Sequence, residues 1–405
     1  MAVESELFLH RIIDPDNEDI DYYRMLKRLG DEPTTKAEIE TRNSVAETTL
    51  TRSLNRFVDT DVLRQEGTVY HLTPVGEILC RELTIAMDAV ADAEGTTGKE
   101  SEDQRGREKL TYLLSSDSRF RLLQSLIESP KSKTAWAEDC GVDRITVQRV
   151  ADDFEQYGLI DTQGGWCETT EEGIAVRTSY DRLVNRAEAV LERADFLVRL
   201  GERSLELPVD GLENTRTVVN DAGSPHAVLN TAIETTSIRD VREGNASIDR
   251  FQALIPVFNE SMFEVFIPIM NFGTDIRTID DKSTVEALTR KENIHYVAAG
   301  LMAPNVNQRV FPQNLTDGIA TFDDGMQLST YHEHYPYTAC LVSNDERIVR
   351  WAYEEIDDYW EQSIPMRTYL MNNLEDRVGH LAKHVPNVAD YLPNFDSDVL
   401  ISADD

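Results

Sequence analysis

Lysine is scarce in this 405-residue chain: nine lysines stand beside 31 arginines, and together they face 74 acidic residues for a formal net charge of -34. Such a balance excludes a broad basic field as the source of any nucleic-acid affinity, although it does not exclude nucleic acid. Cysteine is scarce as well. Cys80, Cys140, Cys167 and Cys340 lie 60, 27 and 173 residues apart, spacings that suit neither a zinc site nor a redox pair. No stretch reaches the roughly 18 apolar residues of a membrane-spanning helix, and the opening MAVESELFLHRIIDPD has no apolar run behind a basic start. A soluble, cytoplasmic protein is expected. The signatures of common catalysts are missing: there is no Gly-rich phosphate loop, no G-x-S-x-G elbow and no H-E-x-x-H helix. Neither an enzyme nor a cofactor is expected. His332-Glu333-His334 would set two histidines on one face of a strand, but spacing fixes no third ligand, so no metal is expected either.

What is present is an ordinary folded composition, 40% apolar with 14 Pro and 20 Gly, long enough for two or three domains. The acidity runs along the whole length and so reads as a solvation property. An acidic, lysine-poor surface remains soluble where salt screens its self-repulsion, and the composition resembles that of haloarchaeal cytoplasmic proteins.

The chain also repeats itself. SVAETTLTRSLNRFVDTDVLRQEGTVYHLTPVG (44–76) lies without gaps over GVDRITVQRVADDFEQYGLIDTQGGWCETTEEG (141–173), at an offset of 97 residues. In the second copy Phe120, Leu123, Leu126 and Ile127 form a helical stripe, Trp136 and Ala137 face inward from a short helix, and Gly141 makes a turn. Asp143 then caps a third helix whose inner residues are Val147, Val150, Ala151, Phe154 and Tyr157. Gly164 and Gly165 turn a hairpin. The first copy answers with Tyr22, Met25, Leu26 and Leu29, then Ile39, then Leu50, Leu54 and Phe57, and a hairpin about Gly67; Thr73 and Gly76 close it as Thr170 and Gly173 close the other. Three helices followed by a hairpin are the order of a winged helix-turn-helix.

The third helix of such a unit offers its N-terminal half to the major groove. In the second copy the outward residues there are Arg144, Thr146, Gln148 and Arg149, types that pair with base edges, while Asp152, Asp153 and Glu155 lie towards the other end. Lys131 and Lys133 are placed for phosphate contact. In the first copy the candidates are Thr49, Thr51, Arg52 and Arg56, with Arg42 near the turn and Arg64 at the wing base. The apolar stripe of the long helix expected from 171 to 200 is suited either to its own domain or to a second subunit, and a homodimer is expected.

Beyond residue 200 the pattern becomes mixed. Leu205 to Pro208 reads as extended and HAVLNTAIETTSI as a helix; FQALIPVFN reads as a strand running into a helix, ESMFEVFIPIMNFG. HYVAA, IATFDD, MQLSTYHE and YTACLVSN read as strands, and ERIVRWAYEEIDDYWEQS as a helix. The stretches DDGMQLSTYHEHYPYTACLVSNDERI and VRWAYEEIDDYWEQSIPM carry a resemblance to archaeal winged-helix transcriptional regulators with a C-terminal domain like that of the methanogenesis regulatory proteins. It spans roughly residues 108 to 370. The resemblance implies a sensor or effector domain, and polarity and aromatic content suggest Phe258, Arg309, Tyr335 and Tyr337 as lining for a small-molecule effector.

The expected organisation is therefore multidomain: a winged helix-turn-helix domain (1–93), a polar linker (94–107), a second winged helix-turn-helix with a long helix (108–200), an α/β effector domain with a mostly antiparallel sheet (204–370), and a C-terminal helix with an acidic tail (371–405). The expected function is sequence-specific binding of double-stranded DNA in transcription regulation. A winged-helix protein adaptor that reads no DNA is the alternative, and charge reversal at Arg52 and Arg149 discriminates the two.

Overall fold

The computed structural model describes residues 2–14, 20–43, 47–92, 99–219, 248–258, 273–290, 292–332 and 335–373. The chain divides into two compact units, Met1–Val209 and Asp210–Asp405.

The first unit opens with α1 (Ala2–Ile13), α2 (Tyr22–Asp31), β1 (Thr34–Thr35), α3 (Lys36–Asn43) and α4 (Glu47–Asp59); the hairpin β2 (Leu63–Glu66) and β3 (Val69–Leu72) follows, then α5 (Pro74–Asp92). The order then restarts with α6 (Lys99–Leu114), α7 (Asp117–Glu128), β4 (Lys131–Ser132), α8 (Lys133–Cys140), α9 (Arg144–Gln156), β5 (Ile160–Gln163), β6 (Trp166–Thr169) and α10 (Glu171–Glu192). Apart from α2 and α7, every element of the first copy begins 97 residues before its counterpart. Each copy carries a three-stranded sheet, β1-β3-β2 or β4-β6-β5.

The agreement extends to single atoms. Thr73 Oγ1 accepts the amide of Gly76 at 3.2 Å and Thr170 Oγ1 that of Gly173 at 3.0 Å, each capping the helix that leaves the hairpin. The amides of Thr73 and Thr170 donate to the carbonyls of Val62 and Leu159 at 3.1 and 3.0 Å. Those same carbonyls crowd the two glycines so closely that a Cβ on either would collide. The inner residues behave as their spacing requires: Leu50, Leu54 and Phe57 of α4 are buried, as are Val147, Val150, Ala151 and Phe154 of α9. Tyr22 meets Phe57 edge-on at 5.5 Å, and the Trp136 indole donates to the Leu122 carbonyl at 3.0 Å.

Three expectations change here. The linker at 94–107 is in large part helical, because α6 begins at Lys99. Its polar surface hides a crossing in which Gly106 lies against the Met87 backbone of α5, and Arg107, only 8% exposed, grips the Asp21 carboxylate with both terminal nitrogens at 2.8 and 2.7 Å. Second, the helix expected over 171–200 breaks at Arg193 into α10 and α11 (Ala194–Leu200), and a 3-10 turn (Gly201–Glu206) takes Leu205 and Glu206 of the segment expected to be extended, while Leu207 is extended. Third, the apolar stripe of α10 is occupied within the chain. α10 packs on α5 and α1, and α6 packs on α5, with Arg186 of α10 paired to the nearly inaccessible Glu82 of α5. Tyr180, Leu183, Val184, Ala187 and Val190 are buried in this single chain. The stripe that suggested a homodimer is thus unavailable to a second subunit, and the two copies form one body.

After α12 (Val209–Leu212) at the boundary, the second unit holds β7 (Thr215–Val219), β8 (Arg250–Ile255), β9 (Asp275–Asp281), α13 (Lys282–Leu288), α14 (Ile294–Met302) and β10 (Val306–Phe311). It continues with β11 (Asp317–Phe322), β12 (Gly325–His332), β13 (Tyr335–Ser343), α15 (Glu346–Gln362), β14 (Ile364–Pro365) and α16 (Met366–Asn373). The strands form one eight-stranded sheet in the order β14-β10-β9-β8-β11-β12-β13-β7. Most pairings are antiparallel, but β8 to β9 and β9 to β10 are parallel. A parallel pair cannot be joined by a tight turn and needs a crossover. HYVAA, expected as a strand, lies in α14, which with α13 makes that crossover and buries Val297 and Ala298. The helices expected in HAVLNTAIETTSI and ESMFEVFIPIMNFG lie outside the described residues, as does the tail beyond residue 373.

Candidate nucleic-acid interface

Gly141, at φ +66°, ends α8 in the left-handed conformation that favours glycine, and α9 starts three residues later. Asp143 caps α9: its carboxylate accepts the Thr146 amide and the Thr146 hydroxyl, both at 2.7 Å. These bonds hold the Asp143 carboxyl below its ordinary range. Thr146, expected to touch a base, spends its hydroxyl proton on this cap. With Val147, Val150, Ala151 and Phe154 buried, α9 turns Arg144, Ile145, Gln148, Arg149 and Asp152 outward.

The acids of α9 are largely engaged. Asp153 accepts the Tyr112 hydroxyl at 2.6 Å, and burial together with this bond pushes the Tyr112 hydroxyl above its usual range. Asp152 accepts the Gln148 amide at 2.6 Å and lies 3.8 Å from Lys133, whose ammonium also donates to the Gln148 carbonyl at 3.3 Å. Lys133, Gln148 and Asp152 therefore form an exposed network that any partner of Gln148 must open. Lys131 is committed elsewhere. Its ammonium donates to the Ser125 carbonyl at 2.5 Å and pairs with Asp139 at 2.8 Å, with 15% of the side chain exposed, so it acts as an internal tie and not as a phosphate contact.

In the first copy Arg42 ends α3 and Arg52 lies outward on α4, both exposed. Thr49 is half-buried. Thr51 donates back to the Glu47 carbonyl at 2.7 Å, a bond internal to the helix. Arg64 pairs with Glu66 at 3.0 Å on the exposed β2–β3 hairpin. Arg56, at the far end of α4, lines a cleft of about 790 Å³ together with His10, Arg11, Asp61, Glu188 and Glu192, a position between the copies. Lys36 escaped sequence reasoning. It stands 97 residues before Lys133, at the start of α3, and pairs with Glu47 at 3.0 Å; the repeat itself was the signal that locates it.

Within Met1–Val209, the arginines that make neither a salt bridge nor a side-chain hydrogen bond among the described residues are Arg28, Arg42, Arg52, Arg56, Arg144 and Arg149. All but Arg28 lie on α3, α4 or α9. Arg42 still acts on the Glu38 carboxylate, which leaves four arginines on α4 and α9 without one in a chain with 74 acidic residues. Arg52 and Arg149 occupy the same position in the two copies.

The expected effector residues are not gathered into one place. Phe258 packs beside Tyr296 at 6.0 Å in a cluster that includes Val310. Arg309, the strand neighbour of Val310, points to the opposite face, where its guanidinium lies 5.0 Å from the Trp360 ring and donates to the Ser363 carbonyl at 2.6 Å. Tyr335 and Tyr337 belong to β13, and their side chains lie outside the described residues. Asp280, which the sequence did not single out, is paired in register with Val310 and is 2% exposed. Burial, with Asp281 adding its charge, pushes its carboxyl to about 8. Among the described residues no group of His, Cys, Asp and Glu is placed to hold a metal, and no helix is long and apolar enough to cross a membrane.

Comparison with known proteins agrees with the division of the chain. The HVO_A0261 N-terminal domain family matches residues 21–94 and, a second time, residues 107–192. The family of the methanogenesis regulatory protein FilR1, middle domain, matches residues 235–362. Among solved structures the chain is similar to TrmBL2, an archaeal chromatin protein whose structure is described as showing a novel mode of DNA binding; the two are 14% identical over 63% of this chain and 98% of that one, with a TM-score of 0.27. No curated protein matches.

Proposed function

We propose that this protein is an archaeal DNA-binding transcription regulator, in which two winged helix-turn-helix copies read promoter DNA through α4 and α9 and the second unit modulates that binding. It acts by binding and not by catalysis. The observation that carries the reading is the pair Arg52 and Arg149: equivalent in the two copies, exposed on the third helix of each, and unpaired among the described residues of a strongly acidic protein. The matches to an N-terminal domain shared by both copies and to the middle domain of a regulatory protein support it. Lys36 and Lys133, at the starts of α3 and α8, and Arg52 and Arg149 on α4 and α9 are assigned to phosphates, and Arg144 to a base edge.

The acidic, lysine-poor surface fits a haloarchaeal cytoplasm, where salt weakens phosphate contacts and places more of the recognition on shape and bases. Four phosphate-facing cations predict that log K falls against log salt with a slope of roughly -3 to -4. A much steeper slope would mean a basic surface that the four residues do not account for. The unit at Asp210–Asp405 is assigned the effector role, with a small molecule as its signal.

Genome-wide occupancy at native salt, compared between the wild type and an Arg52→Glu/Arg149→Glu variant, tests the reading. Loss of the occupied sites is expected. Unchanged sites would instead identify a protein adaptor carried to DNA by its partners, with these arginines free of any role at DNA.

A further inference from the structure

The two copies agree in their assigned phosphate grip and disagree in what they offer to bases. Lys36 and Lys133 correspond, as do Arg52 and Arg149. The other outward positions diverge at the same offset: Glu47 stands where the second copy has Arg144, Thr48 where it has Ile145, Thr51 where it has Gln148, and Asn55 where it has Asp152. The copies are also locked together in one chain. α5 packs on α10, each leading helix packs on the other copy's closing helix, and the Arg107–Asp21 and Arg186–Glu82 pairs tie the seam.

We infer that a single chain supplies both halves of a DNA-reading pair and recognises a non-palindromic duplex with two unlike half-sites, an inference that rests on the DNA-binding reading above. A homodimer imposes two-fold symmetry on its operator because the same side chains read both halves. Here the scaffold has the repeat and the reading residues do not. In the half met by α9, Arg144 presents a forked donor suited to guanine O6 and N7. Ile145 is 84% exposed, further than any other large apolar side chain described. A branched apolar tip gains nothing from water and has a natural partner in the thymine methyl group of the major groove. In the half met by α4, Glu47 holds Lys36 at 3.0 Å and accepts where Arg144 donates, while Thr48 and Asn55 offer a hydroxyl and an amide. Glu47 disfavours guanine and suits a cytosine amino group, and Asn55 suits adenine.

The test is selection of binding duplexes from a random pool by the intact protein at high salt, repeated with Arg144→Ala, Asn55→Ala and Ile145→Ala. One chain per duplex and a consensus without two-fold symmetry are expected. Arg144→Ala should flatten the preference in the half read by α9 and Asn55→Ala in the half read by α4, each weakening the selected site by roughly ten- to a hundred-fold. Replacing thymine by uracil in the half read by α9 should weaken the wild type several-fold and leave Ile145→Ala unaffected. A palindromic consensus bound by two chains, with Arg144→Ala flattening both halves, overturns the inference while leaving the DNA-binding reading in place. Equal sensitivity of wild type and Ile145→Ala to uracil removes Ile145 from the assignment. Failure of the intact protein to bind any duplex removes both readings together.

Discussion

Asp61 is held at φ +58° and is one of two non-glycine residues described with a positive φ; its counterpart in the second copy is Gly158, at φ +72°. The backbone demands the left-handed conformation at this corner in both copies, and only one copy supplies the residue that adopts it without steric cost. Asp61→Gly is therefore expected to be neutral or stabilising by up to about 1 kcal/mol. Gly158→Ala should destabilise by about 1–2 kcal/mol, since its new Cβ also meets the Glu172 carboxylate. Chemical denaturation of the two variants, compared with wild type, reads both effects. Asp280 gives a prediction in pH. Its carboxyl, ordinarily near 3.8, lies at about 8 in the folded protein. Between these values the folded state keeps a proton that the unfolded state releases, so this residue lowers stability as pH rises and leaves it unaffected below about 4. The stability advantage of Asp280→Asn over wild type should grow from pH 4 to pH 8 in denaturation midpoints; a difference independent of pH would mean that Asp280 is ionised in the fold.

Among the elements, the seam of α1, α5, α6 and α10 carries the sharpest test. Glu82 is 4% exposed and Arg186 11% at the side chain; Arg81, 43% exposed and 3.7 Å from the other Glu82 oxygen, is only a partial substitute, so removing Arg186 leaves a buried carboxylate under-compensated. Arg186→Ala should cost about 3–5 kcal/mol, whereas Arg186→Met combined with Glu82→Leu should be close to neutral. Equal losses in both would show that packing volume and not charge holds the seam. The seam also shows where sequence reasoning falls short. The stretch 94–107 reads as a linker because its composition is polar, yet Gly106 and Arg107 work through features that composition does not register: a missing Cβ at a helix crossing, and a buried guanidinium whose partner Asp21 lies 86 residues away. HYVAA misleads for a related reason. Its β-branched and aromatic residues fit a strand, but β9 and β10 run parallel, and the crossover between them overrides local preference.

At the scale of the whole molecule, the first unit was legible because two divergent copies exposed the same constraints. Thr73 with Gly76, and Thr170 with Gly173, stood out as closing pairs before their shared capping bonds were visible. The candidate interface was legible in part. The spacing brought Arg52, Arg144 and Arg149 outward, but it was blind to the internal bonds that engage Thr146, Gln148 and Lys131. The second unit was less legible because its sheet is assembled from distant strands, with β7 at the edge beside β13, and strand order leaves no periodic trace. The in-chain seam finally sets a concentration law. A regulator built from two subunits falls apart on dilution, so at low copy number its active fraction falls in proportion to its abundance and the number of active dimers as the square. Here the partner copy is tethered, and its effective concentration does not depend on how many molecules the cell holds. The thermal midpoint of the first unit's unfolding should therefore be unchanged across a hundred-fold dilution, and site occupancy should rise with protein concentration along a simple hyperbola. A midpoint that falls on dilution would point to a second chain in the fold's stability.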